Sequence, residues 1–223
     1  MSRVVLKCGG AVSTEATARA LRDLLAHGHE VCVVHGAGPQ ISAEMARREL
    51  PVRFVGGRRV TTPAALEVVR ESLAAVNRRI CEALGPRAVG FMGDEIGLEA
   101  IPIPELGLVG DPAPSRPPSL LRALGHGLAP VVAPLARGPL NVNADEAAGA
   151  LAVGLPAQRL LFVSDVPGVL VGGSPLSSIG TDEADRLLRE GTFEGGIVPK
   201  LTAAVRAVRE GVSAQVGETA VLP

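Results

Sequence analysis

The chain of 223 residues contains no tryptophan and no tyrosine, and only four phenylalanines. Any core it forms must therefore be built from Val, Leu, Ile and Ala. At 47% hydrophobic content there are enough of these for one large domain or two modest lobes. Long apolar runs are also missing, and none approaches the length of a membrane-spanning helix. No basic or acidic block interrupts a formal net charge of −1, which argues against nucleic acid or an anionic membrane as the main partner. The opening RVVLKCGG has too short an apolar stretch for a signal peptide, and no cleavage site follows it. Cysteine is scarce. Cys8, Cys32 and Cys81 are odd in number, unclustered and set among apolar neighbours, as expected in a reducing cytoplasm without a disulfide framework. The most informative scarcity is lysine. Of 22 cationic residues 20 are arginine, and lysine survives only as Lys7 and Lys200.

What is present is an alternation of short apolar, β-branched runs with helical patterns. RVVLK, EVCVVHG, RAVGFMG, APVVAP and RLLFVSD read as strands. Between them lie helical segments. One runs from Ser13, a candidate N-cap, to Gly28; another starts at Pro39. The longest opens on Pro63, closes on Gly85, and places Leu66, Val69, Leu73, Val76, Ile80 and Leu84 on one face. Further helices are expected over PPSLLRALGHG, ADEAAGALAVGL, TDEADRLLREG and PKLTAAVRAVREG. This order predicts an α/β fold, with a mainly parallel central sheet sandwiched between helices in three αβα layers. The Pro- and Gly-rich stretch from Leu106 to Pro118 reads as an excursion over the surface.

In such folds ligands bind beyond the C-terminal ends of the strands. Four glycine-bearing segments fall there: KCGGA, HGAGPQ, SDVPGVL and GGIVPK. Glycine lets the backbone approach a ligand and aim N–H groups at it, and HGAGPQ opens onto a helix N-terminus, where an anion is favoured. Two of the four segments carry the only lysines. An ammonium is a compact point charge where guanidinium is a broad fork, so lysine suits a phosphoryl group in transfer. No Walker A loop, dinucleotide fingerprint or protein-kinase set is present. The competing reading is that glycines merely end strands and that two lysines remain by chance.

Taken together, VVLKCGG, VVHGAGPQI, FVGGRRVT, AVGFMGDE, NVNADEAAGALA, LLFVSDVPGVL and GGIVPKLTAAVRAV carry a resemblance along nearly the whole chain. The sequence resembles the amino acid kinase superfamily, most closely the N-acetylglutamate kinases of arginine biosynthesis. The resemblance implies that Lys7 and Lys200 are catalytic and that Asp145 holds them in place. It implies that Arg59 grips a substrate α-carboxylate and that Asn141 contacts the acetylamino acid, with Ala37 and Gly38 in the substrate loop. Gly9 and Gly10 then donate N–H groups to phosphates. Asp165, Val166, Pro167, Gly168, Val169 and Leu170 form the ATP-contacting turn. Read without it, Asn141 and Asn143 remain possible turn formers, Asp145 a helix N-cap and Arg59 a surface cation.

The implied activity is ATP-dependent phosphorylation of the γ-carboxylate of N-acetyl-L-glutamate, with Mg²⁺ on the phosphates and no protein metal site. The implied organisation is a substrate-binding and dimerising lobe over residues 1–157 and an ATP-binding lobe over 158–223. The alternatives are a kinase for carrier-protein-linked aminoadipate, in lysine biosynthesis, and a non-catalytic sensor of the same fold. Four departures from the family pattern stand out. Ala37 replaces a glycine and requires negative φ. Arg58 takes a position the family often leaves apolar. GFMGDE stands where the family more often has Gly-Leu-Ser-Gly. The C-terminus is short, so adenine contacts are not carried over. With only two residues before the first strand, the resemblance implies a homodimer that arginine does not inhibit, with the 63–84 helix as its contact.

Overall fold

The computed structural model describes residues 2–9, 14–163 and 167–223. In chain order the first half comprises β1 (Arg3–Cys8), α1 (Thr14–Ala26), β2 (Glu30–His35), α2 (Gly38–Arg47), the hairpin β3 (Phe54–Val55) and β4 (Arg58–Arg59), α3 (Pro63–Leu84), β5 (Ala88–Met92), α4 (Gly93–Ile96) and β6 (Ala100–Pro102). After a 3₁₀ turn at Pro104–Leu106 come β7 (Val109–Pro112), α5 (Pro118–Gly125), β8 (Ala129–Ala133), β9 (Leu135–Ala136), β10 (Leu140–Val142) and α6 (Ala144–Gly154). The remainder is β11 (Arg159–Val163), β12 (Leu170–Val171), β13 (Ser174–Pro175), β14 (Ser178–Gly180), α7 (Thr181–Arg189), α8 (Ile197–Arg209), β15 (Ser213–Val216) and β16 (Thr219–Leu222).

Eight strands make one sheet in the order β14-β16-β15-β11-β1-β2-β8-β5. From β15 to β5 every pairing is parallel, while β16 turns back antiparallel on β15 and takes β14 with it. The sheet is therefore mixed but mostly parallel, as the strand–helix alternation predicts. Its central strands are buried on both faces because side chains alternate across the pleat. Val5, Cys32, Val34, Val132 and Leu160 join one core with residues of α5, α6, α7 and α8. Leu6, Cys8, Val31, Val33 and Val131 join another with Leu21 of α1 and Ile80 of α3. A third cluster packs Ile41 and Met45 of α2 against Leu66, Val69 and Leu73 of α3. Lys7 shares its parity with Val5, so it emerges on the side of α6 and α8.

Three expectations change. The 106–118 stretch is no surface excursion: Leu106, Val109 and Ser115 are buried, and β7 is the second strand of a separate sheet, β6-β7-β10-β9. Its partners come from remote sequence, and Gly110 is there because a Cβ would lie 2.7 Å from that of Ala100. The broad apolar surface of α3 is covered within one chain by α1, α2 and the sheet. Among the described residues no large apolar side chain of α3 is exposed, which removes the ground for placing a dimer contact there. Finally, α2 begins at Gly38, so Pro39 is its second residue. Ser13 lies outside the described residues.

Asn77 of α3 pins the helix to the sheet. Its Nδ2 donates to Val131 O at 2.9 Å and lies 3.1 Å from His35 Nε2, so that ring nitrogen accepts and the imidazole is neutral. Burial pushes His35 down to about 4 from an ordinary 6.5, and the charge of Lys7 pushes the same way. An unfolded chain takes up a proton near pH 6.5, whereas the folded one resists until about pH 4. Stability present above pH 6.5 is therefore lost as pH falls through that window, by about 3 kcal/mol for this group. Denaturant titrations from pH 7 to 4 should show a flatter pH slope in His35→Gln than in the wild type. Parallel slopes would mean that His35 does not govern this loss.

Candidate active site

The C-terminal ends of β1 and β2 open into a cavity of about 370 Å³. Lys7 and Gly9 reach it from β1, and Ala37 and Gly38 from the start of α2. Arg59 enters from β4, Asn141 from β10, Asp145 from α6 and Lys200 from α8. The two lysines, 193 positions apart in sequence, thus face one space. Gly10, Asp165 and Val166 lie outside the described residues.

Lys7 is 4% exposed, and its Nζ lies 2.6 Å from Asp145 Oδ1, as an ion pair rather than an aligned hydrogen bond. Asp145 is held there by its helix. Asn143 Oδ1 accepts from the N–H groups of Asp145 (2.8 Å) and Glu146 (3.2 Å), so Asn143 caps α6 and Asp145 sits in the first turn. This settles the cap against Asp145 itself. An acid in a first turn is favoured by the helix dipole. Lys200 lies in the first turn of α8, half-buried, and donates from Nζ to Gly196 O at 3.0 Å. Ala37 has φ −139°, the negative value that its replacement of glycine requires.

Arg59 is not a surface cation, being 6% exposed. Its Nη2 donates to Ser42 Oγ (2.8 Å) and Gly38 O (3.2 Å), its Nη1 contacts Met45 Sδ, and its guanidinium stacks 4.6 Å from the Phe54 ring centroid. Among the described residues no carboxylate lies within ion-pair distance of it. Burial pushes the Arg59 guanidinium down from its ordinary value, as expected of a desolvated charge with no anion beside it. Such a group is costly unless an anion completes it. The backbone behind it is fixed: Asn141 Nδ2 donates to Thr61 Oγ1 (3.0 Å), which donates to Arg59 O (2.7 Å).

The turn from Pro167 to Leu170 does not line this cavity. Val169 is fully buried in the core, and its N–H donates to Thr219 Oγ1 at 2.9 Å. Gly168 is pressed against the same threonine: a Cβ there would lie 2.4 Å from Thr219 Oγ1. Pro167 and Leu170 are exposed. The sequence reading missed Thr61, Asn143, Ser42 and Phe54. Only Asn143 left a signal, because Asn143-x-x-Glu146 has capping-box spacing.

The model of the amino acid kinase family matches residues 2–217. The chain is 37% identical over 221 residues to the acetylglutamate kinase of Geobacillus sp. (strain WCH70), spanning 93% of this chain and 86% of that protein. It is 39% identical over 224 residues to the acetylglutamate kinase of Rubrobacter xylanophilus, spanning 97% and 88%. Its fold is similar to that of smu.665 from Streptococcus mutans UA159, with a TM-score of 0.89, 24% identity, and coverage of 99% of this chain and 98% of that one. The match to the family model over almost the whole length, and the extent of identity to its kinases, place the chain in the amino acid kinase family.

Proposed function

We propose that this protein transfers the γ-phosphoryl group of ATP to the γ-carboxylate of N-acetyl-L-glutamate, giving N-acetyl-L-glutamyl 5-phosphate and ADP, a step of arginine biosynthesis. The observation that carries the reading is a buried guanidinium, Arg59, without an acid partner among the described residues, sharing one cavity with Lys200 and the Lys7–Asp145 pair. The similarity to acetylglutamate kinases supports it.

In this reading Arg59 forks the α-carboxylate and Asn141 faces the acetylamino group. The γ-carboxylate is already an anion, so no proton needs to leave the nucleophile. Its oxygen bonds to the γ-phosphorus as the bond to the bridging oxygen breaks, and that electron pair leaves with ADP. Lys7 and Lys200 offset the charge on the equatorial oxygens, with N–H groups of Gly9 and Gly10 beside them. Catalysis then comes from positioning and electrostatics. Mg²⁺ enters with the nucleotide as part of the substrate. A donor set of ammonium groups and backbone N–H groups complements phosphate oxygens rather than a bare cation. Residues 1–157 form the lobe for the acetylamino acid and residues 158–223 that for ATP, with the Asp165–Leu170 turn at the nucleotide. The buried packing of Gly168 and Val169 would fix the shape of that turn. A cytoplasmic homodimer completes the proposal. Three free cysteines suit that compartment, and two-fold dimers are the commonest closed assemblies.

A coupled ADP-release assay should show turnover with N-acetyl-L-glutamate and none with carrier-linked aminoadipate; the reverse preference would reassign the substrate. Lys200→Arg should fold normally and lose roughly 10²-fold in kcat, the scale of one transition-state donor. Near-normal turnover would remove its electrostatic role. Arg59→Lys should raise KM for N-acetyl-L-glutamate far more than KM for ATP, since an ammonium cannot reproduce the fork. A selective rise for ATP would assign this segment to the nucleotide. Light scattering should give the mass of two chains, and a monomer or hexamer would contradict the proposed assembly.

A further inference from the structure

Arg58 and Arg59 are neighbours with opposite surroundings. Arg59 has no acid partner among the described residues, while Arg58 has two. Arg58 Nε lies 2.9 Å from Glu146 Oε2 of α6, and Nη2 lies 2.5 Å from Asp111 Oδ1 of β7. The same Asp111 oxygen meets Arg206 Nη1 of α8 at 3.4 Å. Four segments remote in sequence therefore meet in one chain of charges. Three of them bring candidate site residues to the cavity: the hairpin carries Arg59, α6 carries Asp145, and α8 carries Lys200 six residues before Arg206, about 9 Å along the helix. Side by side, Gly57 of the hairpin turn and Pro199 of α8 are near contact, since a Cβ on Gly57 would lie 3.9 Å from Pro199 Cγ.

The hairpin needs such ties because apolar burial does not hold it. Phe54 and Val55 are 52% and 45% exposed, and each of its strands is two residues long. Apart from Arg58, its links to α6 include the hydrogen bond from Asn143 Nδ2 to Gly57 O at 3.2 Å. Burial pushes Glu146 up, while Arg58 pulls it back toward the carboxylate form.

We infer that Arg58 is a positioning residue: through Glu146, Asp111 and Arg206 it sets the hairpin bearing Arg59 against the helix bearing Lys200. The carboxylate fork and the phosphate charge are thereby held at a fixed separation. Arg58 need not touch the reacting atoms to do this. Its planar fork meets the two acids through separate nitrogens, where a lysine offers a single one.

The kinetic part rests on the kinase reading above; the coupling itself does not. Hydrogen–deuterium exchange on the protein without substrates reads the coupling directly. Arg206→Met should speed exchange of amides 54–59, which Arg206 does not touch, and Arg58→Met should speed exchange in the first turn of α8. Unchanged exchange in both places would overturn the inference whatever the substrate is. With N-acetyl-L-glutamate and ATP, Arg58→Met should lower kcat/KM by roughly 10²-fold, the scale of a 1 Å misplacement. The double variant Arg58→Met, Glu146→Leu leaves no uncompensated acid at that site, so its thermal midpoint should return close to that of the wild type while kcat/KM stays low. Recovery of kcat/KM together with stability would show that the network only holds the fold together. Arg58→Lys should rescue part of the loss. A wild type without turnover would sink the kinase reading and leave the exchange result to decide the coupling.

Discussion

A lysine ammonium and an aspartate carboxylate, both nearly out of contact with water, meet 2.6 Å apart at the end of the central strand. Each ion alone would be expensive to bury, and the pairing offsets that cost. Strand β1 supplies the lysine by the parity of its pleat, and α6 supplies the aspartate from a capped first turn. The parallel sheet brings these two elements together, and α8 adds a second lysine from the same side. The catalytic proposal depends on that pair keeping Lys7 aimed into the cavity.

Around the pair, charge is distributed unequally. Arg58, Glu146, Asp111 and Arg206 satisfy one another, whereas Arg59 is desolvated and meets no carboxylate among the described residues. The cavity thus has a self-compensated wall and an uncompensated one. A carboxylate ligand would complete the second without disturbing the first. Cysteine takes no part in this chemistry. Burial pushes Cys8 up to about 11 and Cys32 to about 12, so neither is a thiolate near neutrality.

The main parallel strands and most helices were legible because each is a local pattern: a short β-branched run, a 3.6-residue stripe, a Gly or Pro at the boundary. The isolated lysines beside glycine were legible for the same reason, since they stand out against twenty arginines. What stayed hidden depends on pairing across long sequence gaps. The second sheet needs Val109 beside Asn141 and Pro102 beside Gly110, and no local pattern announces either. The burial of Arg59 is set by Phe54, Met45 and Ser42, which come from two different segments. Asp145 looked like the cap because it precedes an alanine-rich helix, yet the shorter reach of Asn143 to the first free N–H groups won.

The position of β1 between β2 and β11 also bears on how the chain is made. β1 and β2 can pair soon after both emerge, but the other edge of β1 waits for residues 159–163. At about 5–20 residues per second that edge stays open for on the order of ten seconds during synthesis. An apolar strand with unsatisfied backbone groups is an invitation to foreign pairing for that long. Asp145 leaves the ribosome only shortly before β11 does, so Lys7 meets its partner at about the moment when the strand edge closes.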